Sequence, residues 1–185
     1  MAIVRKRTPP GSGPQAIDRA LQALAPAESA AALSDRPLNL SQPLPVYRLG
    51  LDQLDGPESL ARATQSGWRY LIEGGEGTAY ADVRETGADS AKFTSLSRNR
   101  NAERLMQAVH LAEEAARAMP DDCEARILEV PALYIAAIWL TGAQPVFIPY
   151  LDPSRLADEA APVRVEPDLM ARLVDEARAA RRGTP

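Results

Sequence analysis

One stretch restricts the fold more tightly than any other: Trp68-Arg69-Tyr70-Leu71-Ile72-Glu73, then the cluster Gly74-Gly75-Glu76-Gly77, then Thr78-Ala79-Tyr80-Ala81-Asp82-Val83. Folding the chain about the loop Gly74 to Gly77 places Glu73 opposite Thr78 and fixes every later pair, because side chains alternate faces with a period of two. Ile72 then meets Ala79, Tyr70 meets Ala81 and Trp68 meets Val83, so each large side chain on one face stands against a smaller one. On the other face Arg69 lies opposite Asp82, a favourable cross-strand pair. A phosphate-cradling loop fits poorly. The dinucleotide pattern G-x-G-x-x-G, started at Gly75, finds Tyr80 where its third glycine belongs, and no glycine here is followed by lysine as a phosphate loop requires. Thr78 to Glu85 also alternates like a strand, where either motif needs a helix. The cluster turns a hairpin.

Past a turn at Gly87, the run Ala91-Lys92-Phe93-Thr94-Ser95-Leu96 reads as a short third strand carrying Phe93 and Leu96. Ala102, Leu105, Val109, Ala112, Ala116 and Met119 then recur at steps of three and four, with Met106 widening the stripe, which predicts a long helix. Asn99 or Asn101 supplies its N-cap and Pro120 closes it. The most apolar region follows, from Glu124 to Leu151. Its β-branched residues Ile127, Val130, Ile135 and Ile138 and its aromatics Tyr134 and Trp139 favour strand, and Gly142 suits the turn of a second hairpin from about Leu133 to Tyr150. Pro131 and Pro149 then need bulge or edge positions, since neither has an amide donor. A buried helix over Ala132–Leu140 is the rival, because periodicity does not separate the two in so short an apolar run. The order becomes β-β-β-α-β-β: an α+β fold whose antiparallel sheet packs on one long helix.

Around this core, residues 46–150, the sequence places two appendages. Residues 1–45 form a Pro/Ala-rich arm. Ile17, Leu21 and Leu24 sit at helical spacing there until Pro26 interrupts, and the run Arg36 to Tyr47, with three prolines, reads as irregular. Residues 151–185 form a polar linker and an amphipathic C-terminal helix with the stripe Leu169, Met170, Leu173, Val174 and Ala177. Aromatic residues make up only 5% of the 185, so the few present should mark the core.

Composition excludes several classes of function. A formal net charge of −4 argues against a general nucleic-acid binder. A single cysteine leaves no internal disulfide framework and no multi-cysteine zinc site. The opening Met-Ala-Ile-Val-Arg-Lys-Arg-Thr-Pro-Pro lacks the apolar stretch of a signal peptide, and no run approaches a membrane span. A soluble cytoplasmic protein is expected, and the Ala/Arg/Pro-rich texture suggests a bacterial one.

The chemical candidates are few. His110, the single histidine, sits on the margin of the long helix with Glu113 and Glu114 at helical spacing, which suits a solvated flank better than a general base. Asp121, Asp122 and Glu124 surround Cys123 with negative charge, the opposite of what a nucleophilic thiolate needs, and Asp121 with Glu124 reads as a capping pattern in preference to a metal site. Arg98, Arg100 and Arg104, close to a helix N-terminus, are the best anion-binding candidates. No catalytic residue, metal ligand or cofactor is assigned. The expected function is a non-catalytic protein-interaction or assembly module, meeting a protein partner or a second copy through its arms and the face Leu169, Met170, Leu173 and Val174. The alternative is a small-molecule or anion-binding domain, possibly an enzyme, with Arg98, Arg100, His110 or Tyr134 at the mouth of a sheet cavity.

Overall fold

A computed structural model describes residue 3 and residues 8–24, 39–73, 78–156 and 162–182. In chain order the elements are α1 (Gly13–Leu24), β1 (Asn39–Leu40), β2 (Leu44–Arg48), β3 (Thr64–Glu73), β4 (Ala79–Gly87), β5 (Ser90–Ser97), α2 (Arg100–Ala118), β6 (Ala125–Val130), β7 (Ile135–Leu140), β8 (Val146–Leu151), α3 (Pro153–Leu156) and α4 (Leu169–Arg182), with 3-10 turns at Leu51–Gln53, Pro57–Arg62 and Pro131–Leu133. The fold is α+β with mostly antiparallel pairing. The chain divides into two compact units, one of residues 1–6, 46–66 and 104–185, the other of residues 7–45 and 67–103.

The second of these units is built on the antiparallel meander β3-β4-β5. Trp68 opposes Val83, Arg69 opposes Asp82, Tyr70 opposes Ala81 and Ile72 opposes Ala79, the register that the alternating sequence predicts. The turning loop, residues 74–77, lies outside the described residues. Gly67 has its own reason to be glycine, because a Cβ there would run into the Val83 carbonyl oxygen. Phe93 and Leu96 are three apart, a spacing that a regular strand would split between its two faces. A β-bulge resolves this: Val83 pairs with Phe93 and Asp82 with Ser95, leaving Thr94 as the extra residue, whose Oγ1 donates to the Asp82 carbonyl at 3.0 Å. Both apolar side chains thereby pack against the core of Trp68, Tyr70, Ile72, Ala79, Ala81 and Val83.

Helix α1 covers that core. Ile17 and Leu21, which the sequence reading placed in an N-terminal arm, are 0% and 5% exposed within it. Burying two such side chains is worth about 1.5–3 kcal/mol each. The entry to α1 is pinned by the Ala91 amide donating to Ser12 Oγ at 2.8 Å and the Gly11 amide donating to Asp89 Oδ1 at 2.6 Å.

In the other unit the strand order is β2-β6-β7-β8. Here the wholly antiparallel sheet is corrected: β2 runs parallel to β6, with Val46 beside Ile127 and Tyr47 beside Leu128. The proline-rich run read as irregular contains β1 and β2. Pairing of β2 with β6 begins at Val46, just past Pro45, so no proline is asked to donate to the ladder. The helical rival for residues 132–140 is excluded, since Ile135–Leu140 is a strand buried on both faces. Pro149 occupies the predicted kind of position. It lies on β8, the end strand of the order, beside a bulge that pairs Ala137 with Pro149 and Ala136 with Leu151.

One face of these strands carries Leu128, Val130, Ile135, Ala137, Trp139 and Phe147 against Leu169, Met170, Leu173 and Ala177 of α4. The opposite face presents the buried row Val46, Ile127, Ile138 and Ile148. Helix α2 begins at the predicted cap, where Asn99 Oδ1 accepts from the Asn101 amide at 3.0 Å. It is tied to β8 by Arg104 Nε donating to the Tyr150 carbonyl at 3.0 Å. The order β-β-β-α-β-β on one long helix therefore captures β3 to α2 and β7-β8, and lacks α1, β1, β2, β6 and the packing of α4 on this sheet.

Candidate functional site

The β6–β7 connection is the most outward-looking apolar feature among the described residues. β6 ends at Val130, and Val130 pairs with Ile135 to open β7, so the chain must reverse within Pro131-Ala132-Leu133-Tyr134. Pro131 pre-sets its own φ and lacks a donor, which suits the first position of the 3-10 turn. The Tyr134 amide then donates to the Pro131 carbonyl at 3.1 Å. Closing this short loop forces Tyr134 to φ 54°, the one positive φ among the described non-glycine residues. An L-residue there carries a cost of roughly 1–2 kcal/mol that glycine would avoid. Leu133 packs inward, while Tyr134 is 73% exposed. Every other aromatic side chain in the protein is buried or half-buried. Neither backbone geometry nor packing calls for a tyrosine at this position. The sequence offered Tyr134 as a strand aromatic and as one candidate at the mouth of a sheet cavity; the available signal for a turn was Pro131, which opens one just before it.

The interface stripe proposed from the C-terminal helix lies inward. Leu169, Met170, Leu173 and Val174 are each at most 8% exposed, and the first three pack on their own sheet. Arg172 locks this docking. It donates to Asp152 at 2.7 Å, to Glu166 at 2.8 Å and to Glu176 at 2.7 Å. Burial opposes its charge, yet the hydrogen bonds to Glu166 and Glu176 and the field of Asp152 hold its pKa above the ordinary arginine value. Asp152 also accepts from the Ser154 amide and hydroxyl, capping α3. Further along α4, Arg181 donates to the Leu51 and Leu54 carbonyls and Arg178 to the Asp55 carbonyl.

The arginines proposed for anion binding divide. Arg98 and Arg100 are exposed, whereas Arg104 is buried and turned to the Tyr150 carbonyl. His110 is exposed, as are Glu113 and Glu114. Cys123 is 1% exposed, beside a parallel bridge to Ile3. Burial raises its thiol pKa, with the negative charge of Asp122 a lesser cause. Burial therefore does most of what the sequence attributed to flanking carboxylates. Asp121 and Asp122 are exposed while Glu124 is buried, so the acidic trio is dispersed, and among the described residues no group of three His, Cys, Asp or Glu side chains could hold a metal ion.

Of two polar clusters, one grows from the cross-strand pair that the sequence predicts and the other escaped it. In one, the Arg69–Asp82 pair is bidentate at 2.6 and 2.8 Å, with Ser95 donating to Asp82 at 2.9 Å and the Tyr80 ring 4.2 Å from the guanidinium. Arg69 is only 6% exposed, so the face opposite Trp68 and Tyr70 also buries this pair. In the other, Arg126 lies 4.6 Å from the Tyr47 ring and 4.9 Å from the Trp139 ring, held there by Glu124 at 2.6 Å.

No helix among the described residues is long and apolar enough to cross a membrane. Comparison with protein-family models, with curated proteins and with solved structures finds nothing that matches this chain.

Proposed function

We propose that the chain is a non-catalytic protein-interaction module of a bacterial cytoplasmic system, and that it docks through the β6–β7 turn with Tyr134 as the anchor. The observation behind this reading is the exposed tyrosine itself, kept at a left-handed position on a short loop. Strained, exposed residues that the fold does not need are retained where a partner uses them. Tyrosine is also among the residues that most often dominate interface energy, because a rigid ring fills a pocket at little entropic cost while its hydroxyl finds a polar contact. Pro131 stiffens the turn, so less order is lost on docking. The acidic, alanine- and arginine-rich composition is in keeping with the proposed setting.

Photo-crosslinking tests the reading. A benzophenone amino acid is placed at position 134 in cells producing the protein, and at exposed Glu113 of α2 as the control site. A discrete adduct, with another protein or with a second copy, is expected from position 134 and not from 113. The captured partner, once purified, should bind the Tyr134→Ser chain at least tenfold more weakly. Equal adducts at both positions, or unchanged binding by Tyr134→Ser, would count against this face.

A further inference from the structure

We propose that Trp139 and Arg126 form the donor pair of a binding site for a small monocarboxylate, in the unit built on β2, β6, β7 and β8. This site lies apart from the Tyr134 turn and does not depend on the interaction reading. Trp139 is 8% exposed, yet its indole Nε1 is buried without an acceptor among the described residues. Buried donors are almost always paired, so an orphaned one calls for an explanation. The other tryptophan shows the usual arrangement, with Trp68 Nε1 donating to Glu85 at 2.6 Å.

A cation stands beside the orphan. Arg126 is the direct cross-strand partner of Trp139, and its guanidinium lies over the Trp139 and Tyr47 rings. Its Nε and Nη2 both engage Glu124 Oε2, at 2.8 and 2.6 Å. Glu124 is fixed in turn, its amide donating to Thr141 Oγ1 at 2.9 Å. Among the described residues Arg126 Nη1 makes no such contact, which leaves it to a second acceptor. A planar carboxylate supplies both acceptors at once, one oxygen for Trp139 Nε1 and the other for Nη1 of the guanidinium. The site selects against dianions, because buried Glu124 already offsets the Arg126 charge and would repel a second negative charge. Arg126 is also the more exposed member of its ion pair, its side chain 19% exposed against 4% for Glu124.

The indole N–H resonances of 15N-labelled full-length protein test this directly, with benzoate as the probe and phosphate and chloride as comparators. Trp68→Phe assigns the two resonances. We expect benzoate to shift the Trp139 indole proton downfield in a saturable manner, with the Trp68 indole unmoved. Arg126→Gln should weaken benzoate binding at least tenfold. Glu124→Gln, which removes the competing charge, should tighten it severalfold, so the two variants move affinity in opposite directions. A Trp139 resonance indifferent to benzoate, an equal shift with phosphate or chloride, or a Glu124→Gln variant that binds no more tightly would each overturn the assignment.

Discussion

Deleting Thr94 should be tolerated, although it removes a residue from the middle of a strand. In the native register the sums of paired positions differ by one across the bulge: Val83 pairs with Phe93, while Asp82 pairs with Ser95 and Ala81 with Leu96. Removing Thr94 makes the ladder regular from Tyr80 to Glu85 and leaves Phe93 and Leu96 facing Val83 and Ala81 as before. Thr94 is exposed, so no apolar burial is lost. The loss is its hydrogen bond to the Asp82 carbonyl, worth about 0.5–1.5 kcal/mol net. The expected destabilisation is therefore about 1 kcal/mol. Deleting Leu71 from unbulged β3 is the contrast. It shifts the strand by one residue, so that either Trp68 and Tyr70 or Ile72 must leave the core face. Losing the burial of Trp68 alone costs about 3–5 kcal/mol, a large part of the roughly 5–15 kcal/mol that holds a typical domain. Urea unfolding followed by far-ultraviolet circular dichroism and by tryptophan emission reads both variants. If the Thr94 deletion costs as much as the Leu71 deletion, Thr94 is not a bulge residue and the register of β5 is wrong.

Other perturbations follow from the same geometry. Arg69→Ala leaves Asp82 largely buried without its partner and should cost about 3–5 kcal/mol, most of it recovered in the Arg69→Met/Asp82→Leu double variant; urea midpoints compare them. Gly67→Ala should destabilise the hairpin by driving a methyl group into the Val83 carbonyl, seen as a lowered melting temperature. Burial raises the pKa of Tyr70 and of Cys123, so in the unfolded chain each group ionises first. Their contribution is intact below the ordinary values of about 8.5 for cysteine and 10 for tyrosine, and is lost as pH climbs above them. Stability should thus fall on the alkaline side, and Tyr70→Phe should flatten the upper part of that fall in a pH series of urea midpoints.

Local pattern was enough for elements whose partners are close in sequence. The β3–β4 register followed from Trp68, Tyr70 and Ile72 alternating against Ala79, Ala81 and Val83, and the cap and stripe of α2 from Asn99 and the spacing of its alanines and leucine. Pairings between distant segments were hidden. Val46 meets Ile127 from far away in the sequence, and no hairpin turn announces a parallel pair, so β2 disappeared behind Pro43 and Pro45 and the sheet looked wholly antiparallel. An amphipathic stripe shows that a helix must bury a face without showing against what. The stripe Leu169, Met170, Leu173 and Ala177 suited a partner as well as it suits the sheet it packs on, and Ile17 and Leu21 suited a loose arm as well as the core that holds them. At the proposed sites the difficulty was one of exposure. Periodicity marked Tyr134 and Trp139 alike as strand aromatics, but one is presented to solvent on a strained turn and the other is buried with an unpaired N–H.

The most direct measurement of the proposed role is the affinity of the purified chain for its crosslinked partner, compared between Tyr134→Ser and a second exposed apolar position, Val165→Ser. Truncating a true anchor costs about 2 kcal/mol or more, so Tyr134→Ser should bind at least tenfold more weakly while keeping the urea midpoint of the parent chain, and Val165→Ser should bind as the parent does. Equal affinities for all three chains, with folding intact, would contradict the assignment of the β6–β7 turn as the docking site.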